Sequence, residues 1–105
     1  MNTWRHLTVE AFESLSADSQ DKDGFVQVVD IRDRESFAAG HIPGAQLLNN
    51  ETIEGFISSA DKTRSLVVCC YHGHSSQNAA EFLAQQEFTE VYSLDGGYTA
   101  WAAQK

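Results

Sequence analysis

The stretch VVCCYHGHSS, residues 67–76, contains both cysteines of this 105-residue chain. The segment Ser65–Cys69 is apolar almost throughout, which is typical of a strand that is buried on both faces near the centre of a sheet. Ser75 or Ser76 is expected to begin a helix. The residues of that helix expected to pack inward are Ala79, Ala80, Leu83 and Ala84. The stretch therefore predicts a strand, a polar loop and a helix in immediate succession.

Strands and short helices alternate along the rest of the chain. The other strands are expected at Phe25–Val29, which leads into Asp30, at Ala45–Leu48 and at Val91–Leu94. This alternation predicts an α/β fold in a single domain spanning residues 1–105, with a central parallel sheet of about five strands and helices on both faces. Sites in such sheets lie beyond the carboxyl ends of the strands. The loop that begins at Cys70 lies at that end.

The first two helices have recognisable starts. A helix is expected from Leu7–Thr8, with Thr8 as the N-cap and Phe12 packing on Leu7 as a hydrophobic staple. Asp33 is expected to cap a short helix, Arg34–Ala39, that ends at a glycine.

Two further helices follow turn-forming residues. Asn49 or Asn50 is expected to cap a helix whose apolar face consists of Ile53, Phe56 and Ile57. Asp95–Gly97 is expected to turn into the last helix, in which Tyr98 and Trp101 are interpreted as core residues rather than site residues. Polar or turn-forming connections are expected at Ser16–Gly24, His41–Gly44 and Asp61–Arg64.

The composition narrows the classes of partner and compartment. Seven Lys and Arg against fifteen Asp and Glu give a formal charge of -8, which argues against nucleic acid or an anionic membrane surface as a partner. No apolar run resembles a signal peptide or approaches the roughly 20 residues of a membrane span. Two adjacent cysteines offer no disulfide framework. We expect a cytoplasmic protein that is a monomer or a weak dimer.

The loop after Cys70 is suited to holding an anion. If it curls around the sulfur, its backbone N–H groups form an anion-binding nest, and the N-terminus of the following helix adds positive potential. Both effects favour the thiolate. Gly73 suits a tight curl because glycine tolerates a positive φ. Since neighbouring side chains of a strand point to opposite faces, Cys69 is assigned to the core and Cys70 to the mouth of the loop.

Two other uses of these side chains have less support. His72 and His74 could form a three-ligand metal set with Cys70, but a loop with inward N–H groups turns its side chains outward, and no further ligand completes the set. When protonated, the histidines would instead add positive potential near the thiolate. A disulfide between Cys69 and Cys70 would need unusual peptide geometry. No metal is expected.

The chain resembles the rhodanese family, and within it the single-domain bacterial thiosulfate sulfurtransferases. Four motifs occur in the order of that family, with Cys70–Ser75 at the position of its active-site loop. The other three are Val29–Arg32, Gly40–Ala45 and Asp95–Trp101. The resemblance covers nearly the whole chain.

The resemblance implies that Cys70 is the nucleophile of a two-step sulfur transfer. It would take the outer sulfur of thiosulfate as a persulfide, release sulfite, and pass the sulfur to cyanide or to a thiol acceptor such as a thioredoxin-like dithiol. No cofactor is implied. The residues expected to bind the donor are Tyr71, His72, Gly73, His74, Ser75 and Ser76. Asp30 and Arg32 are interpreted as a structural ion pair that braces neighbouring loops, with a direct role of Arg32 in holding the donor as the alternative.

One departure and three rival functions qualify this interpretation. Cys70–Ser76 contains no Arg or Lys, so weak affinity for free thiosulfate is expected, and the donor could be a protein or small-molecule persulfide. A phosphatase or arsenate reductase would need Arg at position 76, where Ser76 stands. A non-enzymatic binding module is disfavoured because the cysteine is present. A redox sensor is disfavoured because Cys69 faces away from Cys70.

Overall fold

The computed structural model of the chain describes residues 3–18 and 26–104, and the side chains of all of these except residues 16–18. The strands are β1 Trp4–Leu7, β2 Val26–Asp30, β3 Gln46–Leu47, β4 Ser65–Cys69 and β5 Val91–Leu94. The helices are α1 Val9–Asp18, α2 Arg34–Ala39, α3 Ile53–Ser59, α4 Ser75–Ala84 and α5 Gly97–Ala103. Within the described residues, the five strands form one parallel sheet in the order β1-β5-β4-β2-β3.

The strand before the cysteine loop lies at the centre of this sheet. β4 pairs in parallel with β2 on one side and with β5 on the other, and all five of its residues are buried. A strand buried on both faces has no polar side to present, which explains its continuous apolar run. The predicted central position of Ser65–Cys69 is therefore confirmed.

The side chains on the two faces of the sheet form two apolar clusters. The α4-face cluster contains Leu66 and Val68 of β4, Phe56 of α3, and Ala80, Leu83 and Ala84 of α4, with Ile53, Ile57 and Ala79 packed against it. The α5-face cluster contains Val67 and Cys69 of β4 and Val9 and Phe12 of α1, with Phe37 of α2 and Tyr98 and Trp101 of α5 packed against it. Helices thus cover both faces, as predicted, and the inward faces predicted for α3, α4 and α5 are confirmed.

The first strand was not predicted. Leu7 ends β1 instead of beginning a helix, and β1 pairs with β5 at the edge of the sheet. Two of its four residues are exposed and polar, so the segment shows neither an apolar run nor a clear alternation. The cap that follows was predicted correctly, because the hydroxyl of Thr8 accepts a hydrogen bond from the N–H of Ala11 at 3.1 Å.

One predicted boundary is wrong, and one predicted strand is shorter than expected. The loop predicted at Ser16–Gly24 is helical over Ser16–Asp18, because α1 continues to Asp18. The rest of that loop, together with Phe25, lies outside the described residues. β3 is limited to Gln46–Leu47, where the chain bonds to β2.

The N-cap predicted for α2 is confirmed, and the N-cap predicted for α3 is wrong. Asp33 is the N-cap of α2, and its carboxylate accepts the N–H of Ser36 at 3.0 Å, as expected. The cap predicted for α3 at Asn49 or Asn50 is wrong, since Thr52 occupies the N-cap position. Asn49 closes the preceding turn instead, where its side-chain oxygen accepts the N–H of Thr52 at 3.1 Å.

Across residues 3–18 and 26–104, no helix combines the length and the apolar character that a membrane span requires.

Candidate active site

The two cysteines occupy different surroundings at the carboxyl end of β4. Cys69 is the last residue of the strand, has no exposed surface and belongs to the α5-face cluster. Cys70 begins the loop that leads into α4 and is 4% exposed. Neither is in a disulfide. Their predicted assignment, with Cys69 in the core and Cys70 in the loop, is confirmed.

The loop curls around the sulfur of Cys70. The N–H of Gly73 donates to this sulfur at 3.1 Å, and the N–H of Ser76 donates to it at 3.3 Å. Gly73 has a φ of +89°, and a Cβ at this position would lie 2.7 Å from the backbone nitrogen of Gly96. A residue with a side chain would therefore be both strained and in collision with the turn before α5.

The start of α5 fixes the direction of the first two peptide groups in this loop. The N–H of Tyr98 donates to the carbonyl of Cys70 at 2.7 Å, and the N–H of Thr99 donates to the carbonyl of Tyr71 at 3.0 Å. Because the C=O and N–H of one peptide point in opposite directions, the carbonyl of Tyr71 held by α5 turns the N–H of His72, which belongs to the same peptide, toward the sulfur. A Cβ on Gly97 would lie 2.4 Å from the carbonyl oxygen of Cys70, so this approach requires glycine.

These donors change the acidity of Cys70. Burial opposes ionisation, but hydrogen bonds from the hydroxyl and N–H of Ser76 and from the N–H groups of Gly73 and His72 outweigh it and lower the pKa of Cys70. Burial and the nearby negative charge of Asp30 act the other way on Cys69 and raise its pKa to about 12. These surroundings favour the thiolate at Cys70 and disfavour it at Cys69.

The side chains of the loop point away from the sulfur, as predicted. Tyr71, His72, His74 and Ser75 are exposed, and His74 occupies the N-cap position of α4 without a side-chain capping bond. The hydroxyl of Tyr71 donates to the carboxylate of Asp33 at 2.5 Å and also bonds the hydroxyl of Ser36. These bonds anchor Tyr71, the residue after Cys70, to the start of α2. In the described part of the chain, no three His, Cys, Asp or Glu side chains are grouped as metal ligands would be.

Asp30 and Arg32 form a buried ion pair below the loop. Nη2 of Arg32 lies 2.8 Å from the carboxylate of Asp30 and 2.6 Å from the carbonyl oxygen of Gly40. The guanidinium carbon stacks 4.0 Å from the centre of the Tyr98 ring and 5.6 Å from that of the Tyr71 ring. The hydrogen bonds to Asp30 raise the pKa of Arg32. This geometry favours the interpretation as a structural ion pair, since the guanidinium is enclosed and turned toward protein acceptors.

Comparison with known proteins agrees with this geometry. A family model described as "Rhodanese-like domain" matches residues 11–104. The chain belongs to the rhodanese-like family. This confirms the resemblance predicted from the four motifs.

Two curated proteins and one solved structure illustrate how similar the relatives of this rhodanese-like chain are. A protein of Shewanella oneidensis named "Thiosulfate sulfurtransferase GlpE" is 52% identical over 101 residues, which cover 96% of this chain and 95% of the relative. A protein of Ectopseudomonas mendocina with the same name is 58% identical over 76 residues, covering 72% and 70% of the two chains. The crystal structure of a rhodanese-like domain protein from Staphylococcus aureus matches with a TM-score of 0.73 and 27% identity, covering 96% of this chain and 91% of the other.

One buried contact of this rhodanese-like site was missed at the level of sequence. The hydroxyl of Ser76 lies 2.7 Å from the hydroxyl of Ser93, and both serines have no exposed surface. Ser93 lies in β5, where it is flanked by apolar residues. A serine inside an otherwise apolar buried strand is the signal that could have indicated it, because a buried hydroxyl needs a hydrogen-bond partner.

Proposed function

We propose that this protein is a thiosulfate sulfurtransferase that carries sulfur as a persulfide of Cys70. The observation that supports this most directly is the sulfur of Cys70, held by inward N–H donors at the head of a loop and helix. Membership of the rhodanese-like family and the names of the relatives from Shewanella oneidensis and Ectopseudomonas mendocina point to the same reaction.

In the first half-reaction the thiolate of Cys70 attacks the outer sulfur of thiosulfate. A new S–S bond forms, the S–S bond of thiosulfate breaks, and its electron pair leaves with sulfite. The product is the persulfide anion of Cys70. The N–H groups that surround Cys70 favour the anionic form before attack and the negative charge of the persulfide after it.

In the second half-reaction an acceptor thiolate, or cyanide, attacks the outer sulfur of the persulfide. The S–S bond to Cys70 breaks and its thiolate is released as the leaving group. Because sulfite departs before the acceptor reacts, the scheme is ping-pong. Atoms and electrons balance in both halves without a cofactor.

The residues of the loop have separate roles in this scheme. Gly73 and Ser76 supply the N–H groups that contact the sulfur, and His72 supplies a third. Tyr71 acts through its anchor on α2, while His74 and Ser75 contribute through the backbone at the start of α4. Asp30 and Arg32 brace the floor of the loop.

The donor is held weakly if it is free thiosulfate. The loop presents N–H dipoles but no Lys or Arg, and the chain has a formal charge of -8. A dianion therefore meets little compensating charge. We expect a Michaelis constant for thiosulfate in the upper part of, or above, the usual range of about 1 μM to 1 mM. Half-saturation at low micromolar thiosulfate would contradict this.

The absence of Lys and Arg from the loop favours a second candidate, a persulfide carrier that receives sulfur from a protein or a small-molecule persulfide. Such a donor brings less negative charge to the loop than thiosulfate does. The same Cys70 persulfide and the same second half-reaction then apply. A rhodanese-like module that only binds would form no persulfide with any donor.

The partners and setting follow from the chemistry of the persulfide. A thioredoxin-like dithiol suits the role of acceptor, because its second thiol can resolve the persulfide as hydrogen sulfide and leave a disulfide. A reducing compartment, which we take to be the cytoplasm, keeps both cysteines available. We propose that the chain acts as one domain, as a monomer or a weak dimer.

A phosphatase reaction is disfavoured by the same loop. Phosphoryl transfer on a related loop needs an arginine fork that binds the phosphoryl oxygens bidentately. The residue at that position is Ser76, whose N–H bonds the sulfur and whose side chain is buried. Hydrolysis of an aryl phosphate that depends on Cys70 would contradict this exclusion.

Intact mass under non-reducing conditions tests the proposed function directly. Wild type, Cys70→Ala and Cys69→Ala are incubated with thiosulfate and then with cyanide. We expect the mass of one sulfur atom to be added to wild type and to Cys69→Ala, to be absent from Cys70→Ala, and to be removed by cyanide. Sulfur added to Cys70→Ala would contradict the role of Cys70. If no form gains sulfur from thiosulfate, the same test with a polysulfide donor separates the persulfide carrier from the binding module.

A further inference from the structure

We propose that Ser93 is a positioning residue that acts through the side chain of Ser76 to hold the N–H of Ser76 on the sulfur of Cys70. The inference rests on the proposed sulfur transfer, and it assigns a role to a residue outside the loop.

The contact between the two serines connects β5 to the loop. Ser93 lies in β5 and pairs with Val68 of β4, so the two side chains lie on the same face of the sheet. Val68 is two residues before Cys70. Ser76 lies in the first turn of α4, and its N–H donates to the sulfur of Cys70 at 3.3 Å. The two hydroxyl oxygens are 2.7 Å apart and fully buried. Ser93 is thus connected to the sulfur through one intervening residue, whose hydroxyl bonds Ser93 and whose N–H bonds Cys70.

The bond between the two hydroxyls fixes the position of Ser76. A buried hydroxyl without a partner is costly, and the 2.7 Å contact gives each of the two serines a partner. Because the side chain of Ser76 is bonded to β5 in this way, the first turn of α4 is held next to the end of β4. The N–H of Ser76 is thereby kept on the sulfur of Cys70.

This N–H donor matters because the sulfur of Cys70 is negative at two points of the reaction. It is the nucleophile of the first half-reaction and the leaving group of the second. Loss of a supporting donor raises the basicity of the thiolate, which helps attack but hinders departure. Ser93→Ala is therefore expected to slow the discharge of the persulfide and not the attack of the ionised thiol on the donor.

The expected effects are modest because Ser93 acts indirectly. Ser93 does not contact the sulfur, and its removal only loosens one of the N–H donors, so Ser93→Ala is expected to raise the pKa of Cys70 by about 0.5 unit. The second half-reaction, measured above that pKa, is expected to slow about twofold. The first, measured at the same pH, is expected to keep its rate or to gain slightly.

The experiment is a double-mutant cycle on the full chain. The variants are Ser93→Ala, Ser76→Ala and the combination, with Ser93→Thr as a rescue that keeps the hydroxyl. Ser65→Ala is the matched control, because Ser65 is also a buried serine of the sheet but bonds Glu90 at the opposite end of β4. The ionisable side chains at the carboxyl edge, including Asp30, Arg32 and the exposed histidines of the loop, stay unchanged in every variant.

The main readout needs no sulfur donor. The rate of alkylation of Cys70 by iodoacetamide is followed against pH by intact mass, which gives the pKa of the thiol whether or not thiosulfate is the donor. A shift in Ser93→Ala that is absent when Ser76 is already alanine, and that is reversed in Ser93→Thr, supports the proposal. Persulfide discharge to cyanide then supplies the second readout.

Three results would overturn the proposal. The first is an unchanged pKa in Ser93→Ala. The second is an equal shift in the presence and absence of the Ser76 hydroxyl, since Ser93 would then act by packing alone. The third is the same shift in Ser65→Ala, which would show that any buried serine of this sheet has that effect. Failure of the proposed function instead appears as absence of persulfide from wild type, with the alkylation cycle unaffected.

Discussion

Cys69 and Cys70 are adjacent, and both are almost completely buried, yet their surroundings drive their acidity in opposite directions. Around Cys69 lie apolar side chains and the carboxylate of Asp30, which raise its pKa to about 12. Around Cys70 lie oriented N–H and O–H donors, which lower its pKa despite burial. The comparison shows that burial alone does not make a cysteine inert. The direction of the nearest dipoles decides whether the thiolate is stabilised.

Selective alkylation is the largest expected difference between the two cysteines. At a pH below both pKa values, their thiolate fractions differ by at least about a thousandfold, since one pKa is raised to about 12 and the other is lowered from its usual value. We expect iodoacetamide to modify Cys70 alone in the folded protein and both cysteines in urea. Peptide mapping measures this. Equal modification of Cys69 and Cys70 in the native protein would remove the basis of the comparison.

Arg32→Met tests the ion pair with Asp30, the carboxylate that lies near Cys69. It leaves the carboxylate of Asp30 buried without its partner, which typically costs about 3–5 kcal/mol of the free energy of unfolding. We expect the double variant Asp30→Asn, Arg32→Met to be more stable than Arg32→Met, because no unpaired charge remains. Urea unfolding gives both values. If the single variant were as stable as the double, the ion pair would not be a brace.

Gly73→Ala tests the curl of the loop around the sulfur of Cys70. The added Cβ would lie 2.7 Å from a backbone nitrogen at a φ of +89°, so the loop must open and its N–H donors must leave the sulfur. We expect persulfide formation to fall about 10²- to 10³-fold, the range seen when a preorganised donor is lost.

Gly44→Ala is the matched control for Gly73→Ala. Gly44 also has a positive φ, +85°, but a Cβ there meets no atom within 4 Å. It carries the backbone strain without the collision, so we expect it to lower stability and to leave the rate of persulfide formation unchanged. Equal losses of activity in the two variants would assign the effect to strain and not to the shape of the loop.

The pH dependence of stability is expected to have opposite signs for the two thiols. The pKa of Cys70 is lowered on folding, so its contribution to stability is present above the usual value of 9.0 and is lost as pH falls through the folded pKa. The pKa of Cys69 is raised, so its contribution is present below 9.0 and is lost as pH rises toward about 12. The free energies of unfolding of Cys70→Ala and Cys69→Ala are compared with that of wild type between pH 7 and 11. The two differences give the contributions of the two thiols separately. Parallel changes in the two differences would contradict the assignment.

Tyr71→Phe is expected to have the smallest effect. It removes the hydroxyl that bonds Asp33 and Ser36 but keeps the ring beside Arg32. The contact is exposed, so we expect a loss of about twofold in kcat/KM with little change in stability. Steady-state sulfur transfer to cyanide measures it. A loss comparable to that of Gly73→Ala would mean that the anchor on α2, and not the start of α5, sets the shape of the loop.

Much of the fold and part of the site could be predicted because the responsible residues are close in sequence. β4, the loop after it and α4 follow from one continuous stretch, and the N-cap at Asp33 follows from its distance to the helix it starts. The opposite placement of Cys69 and Cys70 follows from the alternation of a strand. These signals are local, so they need no knowledge of which strands are neighbours.

The features that could not be predicted depend on contacts distant in sequence. β1 exists because β5 pairs with it, and its own residues carry too weak a pattern. Ser93 meets Ser76 only because β5 and α4 pack together. The direction of the first two loop peptides depends on N–H groups of Tyr98 and Thr99 at the start of α5. In each case the missing information is the order of strands in the sheet.

The closeness of Gly73 to the turn before α5 also limits how this scaffold can change its chemistry. The backbone of Gly96 and the carbonyl of Leu94 leave no space for even one methyl group beside the loop. A loop lengthened by one residue, as a phosphate-sized substrate would need, could not form unless Asp95–Gly97 were rebuilt as well. The turn Asp95–Gly97 therefore limits the shape of the loop, and redesign of this protein for larger anions would have to begin about 25 residues beyond Cys70.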